Sequence, residues 1–392
     1  MKSPQNTLWT ALLATLLLAI TPAVLHAQDD PAPDAGEAPA AENAEGTAED
    51  GASATNPDIE VVFDEDGNIM PRHFTQQTQR AIEKGLDYLA RTQGNDGSWS
   101  GTRDGATYPV TMTALSGMAF LAGGNTTSRG PYADNVKKAV RFCMRNANRE
   151  TGVIAAGNEN GRVMYPHGFA LMFLACAYDM ESDERVREQM RIIINKGIEL
   201  TSRAQSPLGG WMYMPNSGDE GSVTVTQLQA LRACHNAGFV VPEETIQQAI
   251  QYLEICQTPE GGICYSYGSR GVRLPISAAA LPCLYAAGEY ESEMAEACLA
   301  YVSSQFIEDG RNRQFTKNSG HDFYGHYYAA QAFYQAGDQY WDNYFPMTRD
   351  QLINMQQADG WWNGDGVGPA YGTALALTIL QLPYKYLPIY QR

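Results

Sequence analysis

Ile82 to Gly101, IEKGLDYLARTQGNDGSWSG, is the stretch whose reading decides the fold. Ile82, Leu86 and Leu89 fall at i, i+4 and i+7, while Glu83, Lys84, Asp87 and Arg91 take the other faces, so the segment reads as an amphipathic helix with one side to cover. Gln93, Gly97 and Trp99 then close it in a tight loop. The loop glycine recurs at Gly97, Gly152, Gly209, Gly261, Gly310 and Gly360, in steps of 55, 57, 52, 49 and 50 residues, which makes the chain a periodic array. An amide stands four residues ahead of that glycine at Gln93, Asn148, Gln205, Gln257 and Gln356, and five ahead at Gln305. Trp99, Trp211 and Trp362 stand two residues after it.

Each loop leads into a second segment of different character: Tyr108 to Gly123, Tyr165 to Met180, Val223 to Gly238, Leu274 to Gly288, Asp322 to Gly337 and Pro369 to Leu382. These are rich in Ala, Leu, Tyr, Cys and Met and nearly free of charge. A helix that is apolar all round must be buried, whereas the charged first helix of each pair must face water. Six outer helices around six inner ones follow. Four inner segments end in Ala-Gly (at Gly123, Gly238, Gly288 and Gly337), where a left-handed C-terminal cap favours glycine.

Outside the repeats the chain is of another kind. Met1 to Ala27 carries one lysine, an apolar run and a small-residue end, the pattern of an export signal that places the mature protein in the periplasm or outside the cell. A retained membrane anchor is the rival reading, although the apolar core is shorter than the about 20 residues a span needs. Residues 28–70 form an acidic tail rich in Ala, Pro and Glu, with too little to bury, and are expected to be disordered. That tail holds 13 acidic residues and no Lys or Arg, which leaves a formal charge of about −5 of the total −17 on the repeat domain, residues 71–392. No basic track for nucleic acid is present. Asp64, Asp66 and Asn68 look faintly like a calcium loop, but Ile69 and Thr75 stand where a glycine and a bidentate Glu are required, so a turn at Asp66-Gly67 is the simpler reading. The seven cysteines lie mostly singly beside Ala and Leu and read as small buried hydrophobes. Cys256 and Cys264 flank one loop and are the pair that export would permit to join.

The 82–101 unit, with Lys84-Gly85, Gln93, Gly97 and Trp99, resembles the QW repeat of squalene and oxidosqualene cyclases, and the array from about Phe74 onward resembles prenyltransferase and squalene-oxidase repeat proteins. The resemblance implies an all-α fold, an α/α toroid of six helical hairpins with inner and outer rings, a cavity at one end of the inner ring, and Gln and Trp side chains that clamp each loop to the next helix. It also implies where chemistry would sit. In class II cyclases a DxDD acid heads an inner helix; the nearest match here is Asp219-Glu220-Gly221-Ser222, which puts Gly and Ser at its last two positions. The prenyltransferase zinc ligands are incomplete, because Gly325 stands where the family's histidine is expected and no Asp or Cys precedes it in Arg273-Leu274-Pro275-Ile276-Ser277. No zinc site or other cofactor is therefore expected.

The densest polar cluster at an inner-helix head is His321 to Tyr328. Asp322 and His326, about 40° apart on a helix, can pair as a carboxylate-oriented base or lone metal ligand in the cavity; alternatively Asp322 caps the helix and His326 fills the core. Ligand contacts are expected from His321, Tyr324, His167, Tyr165, Trp211, Asp219 and Tyr371, with Asp104 and Glu220 as further parts of an acidic lip and Tyr327 and Tyr328 of the lining. Three functions remain open: a pocket for a small apolar, isoprenoid-like ligand without the family's catalysis; an enzyme acting through His326 and Asp322 on a glycan or terpenoid; and a non-catalytic interaction module.

Overall fold

The computed structural model describes residues 63, 67, 70–103, 105–159, 161–308, 311–315 and 321–391. The leader, nearly all of the acidic tail, Asp64, Asp66 and Asn68 of the calcium-like stretch, and Asp104 lie outside the described residues.

Twelve α-helices run through the described residues: α1 Gln76–Thr92, α2 Pro109–Ala122, α3 Ala133–Arg145, α4 Met164–Tyr178, α5 Glu184–Arg203, α6 Gly221–Asn236, α7 Glu243–Ile255, α8 Leu274–Ala286, α9 Glu293–Phe306, α10 Asp322–Ala336, α11 Asp338–Met355 and α12 Pro369–Gln381. The even-numbered helices are buried along almost their whole length, and each packs on the even-numbered helix before and after it, with α12 against α2 to complete the ring. The odd-numbered helices bury one face in the grooves between inner helices; α1 lies against α12, α2 and α11. The fold is an α/α toroid, and Ala114, Leu228 and Ala374 are all inside it. No described helix is long and apolar enough to cross a membrane.

The loops explain how flat repeats become a ring. In four of them a Gln amide donates both to the carbonyl of the loop glycine and to a carbonyl of the next outer helix: Gln93 to Gly97 (2.9 Å) and Asn135 (3.0 Å), Gln205 to Gly209 (2.7 Å) and Thr245 (2.9 Å), Gln257 to Gly261 (3.1 Å) and Met294 (2.9 Å). The last, Gln356, reaches Gly360 at 3.0 Å and Ala81 at 2.8 Å, tying the last outer helix to the first. Each loop Trp donates its indole N–H to a carbonyl ten residues back, Trp99 to Leu89, Trp211 to Thr201 and Trp362 to Leu352. Two amides depart from this. Asn148 bends back on its own loop, where its Oδ1 accepts from Glu150 N and Thr151 N, and Gln305 belongs to the exposed face of α9. Positive φ at the expected cap glycine occurs at Gly238, Gly288 and Gly337, the last with ψ 176° and so not a left-handed helical turn, but after α2 the positive φ falls on Gly124 while Gly123 has φ −83°.

The ring-closing clamp makes a prediction. Gln356→Ala removes two hydrogen bonds to carbonyls that lose their donor, worth about 1–3 kcal/mol together. Hydrogen exchange in the variant is expected to speed up in α1 and α11 before α5 and α7; uniform protection across the outer ring would show that the clamp does not hold the seam.

All seven cysteines are free thiols, five of them buried, so Cys256 and Cys264 are not joined. The hydrogen bond from Cys264 N to Cys256 O (2.9 Å) joins their backbones in a small antiparallel turn that leaves the thiols unlinked.

Candidate functional site: an aromatic cavity with an arginine mouth

A cavity of about 490 Å³ opens at the end of the inner ring where the helices begin. Its walls are Tyr108, the cap of α2, and first- and second-turn residues, among them Met112 and Leu115 of α2, Tyr165 and Phe169 of α4, Ile276 of α8, Tyr324 and Tyr327 of α10, and Tyr371 and Leu375 of α12. The lips are loop residues: Tyr213 and Tyr265, whose hydroxyls are 2.8 Å apart, and the cations Arg103, Arg162 and Arg273 beside His321. The Arg162 guanidinium lies over the Tyr213 ring at 5.3 Å. Arg103 Nη2 is 3.4 Å from His321 Nε2. Burial first, and then Arg103, lowers the pKa of His321 and favours its neutral form. No Asp or Glu is among the described residues that line the cavity.

The carboxylates close to it serve the helix ends. An inner helix that starts in the core leaves N–H groups that water cannot reach. Glu159 accepts from Val110 N (3.0 Å), Thr111 N (3.3 Å) and Ala156 N (2.7 Å) at the start of α2; burial pushes it up to about 7 despite those donors. Glu220 accepts from Ser222 N (2.8 Å) and Val223 N (2.6 Å) at the start of α6, and burial raises its pKa too. Asp365 accepts from Phe323 N (3.0 Å) and Tyr324 N (3.1 Å) at the start of α10, and Tyr371 Oη adds a bond at 3.3 Å. Ser222 Oγ donates to Glu220 and receives the Tyr165 hydroxyl, so a chain of hydroxyls runs from the cavity wall to a buried acid.

Of the residues singled out by sequence, His321, Tyr324, Tyr165 and Tyr371 line the cavity, and so does Tyr327. The others stand elsewhere. Asp322 and His326 do share a face, but it is the one turned to the outer ring: two residues along a helix is 200°, so Tyr324 toward the bore puts Asp322 and His326 away from it. His326 is fully buried, with Nδ1 2.9 Å from Tyr344 Oη of α11 and its ring stacked on Phe315 at 4.0 Å. Asp322 faces Arg313 at 3.7 Å, and the cap it was expected to supply comes from Asp365. His167 is turned outward for the same reason. Its Nδ1 accepts from Ile154 N at 3.3 Å and its Nε2 lies 3.0 Å from Thr201 Oγ1. Trp211 is a fully buried clamp, Asp219 accepts from Ser206 Oγ at 2.8 Å, and neither lines the cavity.

The repeat explains His167. The backbone N–H two residues after the loop glycine is accepted by Thr113 in the first copy (3.1 Å), His167 in the second, Thr224 in the third (3.0 Å), Ser277 in the fourth (2.7 Å) and Thr373 in the last (3.1 Å). His326 stands at a similar spacing in the fifth, 16 residues after Gly310, but its Nδ1 is turned to Tyr344 Oη. What sequence reasoning passed over are the three arginines and Glu159. Arg162 and Arg273 stand one or two residues before an inner helix, a register in which a charge can only lie on the lip.

No protein-family model matches the chain, and no curated protein sequence does either. Solved structures do. A variant of the type II terpene cyclase MstE from Scytonema, in complex with its product merosterolic acid A, is similar over 79% of this chain and 97% of its own, with a TM-score of 0.57 and 16% identity. An inactive variant of the GH76A α-1,6-mannanase of Salegentibacter sp. HEL1_6, in complex with α-1,6-mannotriose, is similar over 78% and 98%, with a TM-score of 0.58 and 9% identity. A protein from Actinoplanes matches over 79% and 99%, with a TM-score of 0.55 and 15% identity. At these identities the likeness is one of fold, and the fold it identifies is the terpenoid cyclase-like α/α toroid.

Proposed function

We infer that this toroid belongs to an exported protein and that its central cavity binds an isoprenoid-like apolar chain carrying an anionic group. The observation that carries the reading is the division of the cavity wall: aromatic and aliphatic side chains in its depth, Arg103, Arg162 and Arg273 at its mouth, and no carboxylate lining it among the described residues. An apolar chain is drawn in by the area it buries, and a guanidinium fork at the lip pairs with a carboxylate or phosphate in a partly dry setting. The leader-like residues 1–27 support export. The structural neighbours offer two precedents, a cyclase holding geranylgeranyl dihydroxybenzoate and a mannanase holding α-1,6-mannotriose. Cleavage of a glycan needs two carboxylates flanking the bond, and Glu159, Glu220 and Asp365 commit their oxygens to backbone N–H groups. That favours the apolar ligand over the sugar.

Calorimetric titration with geranylgeranoic acid, geranylgeraniol and mannotriose tests this. The acid is expected to bind at least about tenfold more tightly than the alcohol, a gap that one charge-assisted hydrogen bond supplies. Arg273→Ala is expected to close most of it while leaving the alcohol's affinity alone. Mannotriose binding more tightly than either prenyl compound would overturn the reading.

A further inference from the structure

At the end of the inner ring away from the cavity, the chain turns back on itself. After α12 the chain does not leave the molecule: a short turn at Leu382–Tyr384 and a left-handed Lys385 send Leu387 to Gln391 back beneath the inner ring, where Pro388–Tyr390 packs on α6. Leu387, Ile389 and Tyr390 are buried. Gln335 of α10 holds the segment by the carbonyls of Ile389 and Gln391, both at 3.4 Å.

We propose that this C-terminal segment is a plug, and that Tyr390, by holding Tyr327 across the bore, fixes the floor of the cavity and so the length of apolar chain it admits. The cavity wall on α2 ends at Leu115, seven residues below Tyr108, which is about 10 Å of depth at 1.5 Å per residue. On α10 it ends at Tyr327. The Tyr327 hydroxyl, fully buried, needs a partner, and finds it in the Tyr390 hydroxyl at 3.2 Å, which reaches it from the opposite end of the ring. The Tyr327 ring also stands edge-on to Tyr328 at 4.8 Å. One turn further down, Gln229 of α6 donates to Gln331 of α10 at 2.8 Å, and Gln331 donates to the Tyr327 carbonyl at 3.0 Å. These polar contacts span the bore beneath the floor. A chain that grew past Tyr327 would have to break them in a place where water cannot repair the loss.

The proposal rests on the ligand reading above, and its test is arranged so that the two fail separately. Geranoic, farnesoic and geranylgeranoic acids form a series of rising length, and xenon reports apolar space whatever the natural ligand is. In the wild type, affinity is expected to rise with length and then fall by at least about tenfold once the chain meets Tyr327. Tyr390→Ala and Tyr327→Leu are expected to move that fall by one isoprene unit or abolish it, and Tyr390→Phe, which keeps the ring as a stop but leaves the Tyr327 hydroxyl without that bond, to make it smaller without moving it. In xenon-pressurised crystals the first two variants are expected to gain a site between α6 and α10. If no acid binds the wild type while the xenon site opens, the ligand reading falls and the plug stands. If the cut-off and the xenon volume are the same in every folded variant, or the wild type takes all three acids with no fall, the proposal is wrong. Tyr327→Leu leaves the plug residues in place and carries both readouts should Tyr390→Ala not fold.

Discussion

Gly209→Ala is expected to destabilise the toroid by roughly 2–5 kcal/mol, whereas Gly288→Ala is expected to cost about 1–2 kcal/mol, although both glycines have φ above +90°. The conformational strain of putting an L-residue in the left-handed region is common to the two and accounts for about 1–2 kcal/mol. Their surroundings separate them. A methyl group at Gly209 would stand 2.1 Å from the carbonyl oxygen of Gln248 and 2.6 Å from its carbon, inside α7, while at Gly288 it would meet nothing within 4 Å. The oxygen cannot step aside, because the Gln205 clamp fixes Gly209 and the Thr245 carbonyl of α7 to one amide. Relief therefore requires α7 to back away from the inner ring, and overpacking of that kind adds about 1–3 kcal/mol. The same approach recurs at Gly97 against Lys138, Gly152 against Lys196, Gly261 against Ala297 and Gly360 against Lys84, so the effect belongs to the repeat. Urea unfolding of the two variants measures it; equal losses would mean that backbone strain alone explains why glycine recurs.

That shared contact is also why the fold is legible in the residues alone. Gln, Gly and Trp recur in the sequence because one loop geometry recurs in space, and the charge on the first helix of each pair states which face meets water. The cavity is less legible, for a physical reason. An inner helix is apolar all round, so its pattern carries no phase and does not say which residues face the bore. Periodicity places Asp322 and His326 correctly on one face of α10, but that face looks away from the cavity. A phase marker does exist: the Thr, Ser or His that accepts the loop N–H, 13–16 residues after the loop glycine, points outward in each copy where the bond forms. With that marker, His167 becomes a variant of Thr113, Thr224 and Thr373, His326 stands at a like spacing, and the bore falls to the residues 160–200° away, Tyr165, Tyr324 and their neighbours. The arginines escape notice because loop charges are ordinarily solvated, and only the closed ring turns three separate loops into one mouth.

Treating the two histidines as structural leads to an acid lability that Thr at the same position would not confer. Burial holds His167 down to about 4 and His326 to about 3, from an ordinary 6.5, so both are neutral in the folded protein at pH values where the unfolded chain is protonated. As pH falls below 6.5 the unfolded state therefore takes up two protons that the folded state refuses, and stability is lost. Glu159 works in the opposite sense. Its folded value of about 7 lies above the ordinary 4.5, so between those limits the folded state binds a proton the unfolded state lacks, and stability rises as pH falls. For His167, His326 and Glu159 taken together the balance from pH 6.5 to 4.5 is one proton, a loss of about 1.4 kcal/mol per pH unit, which steepens below 4.5 once Glu159 is protonated in both states; Glu220, raised by burial, acts in the sense of Glu159, and His321, lowered by burial and Arg103, in that of the histidines. His167→Thr copies the residue of three other repeats. It is expected to sacrifice about 1–2 kcal/mol at pH 7 through lost packing, and to save about 3 kcal/mol of the loss between pH 6.5 and 4. The curves of unfolding free energy against pH for the wild type and the variant should converge or cross on the acid side. Parallel curves would mean that His167 is protonated at the same pH folded and unfolded, and that the interior around α5 admits water.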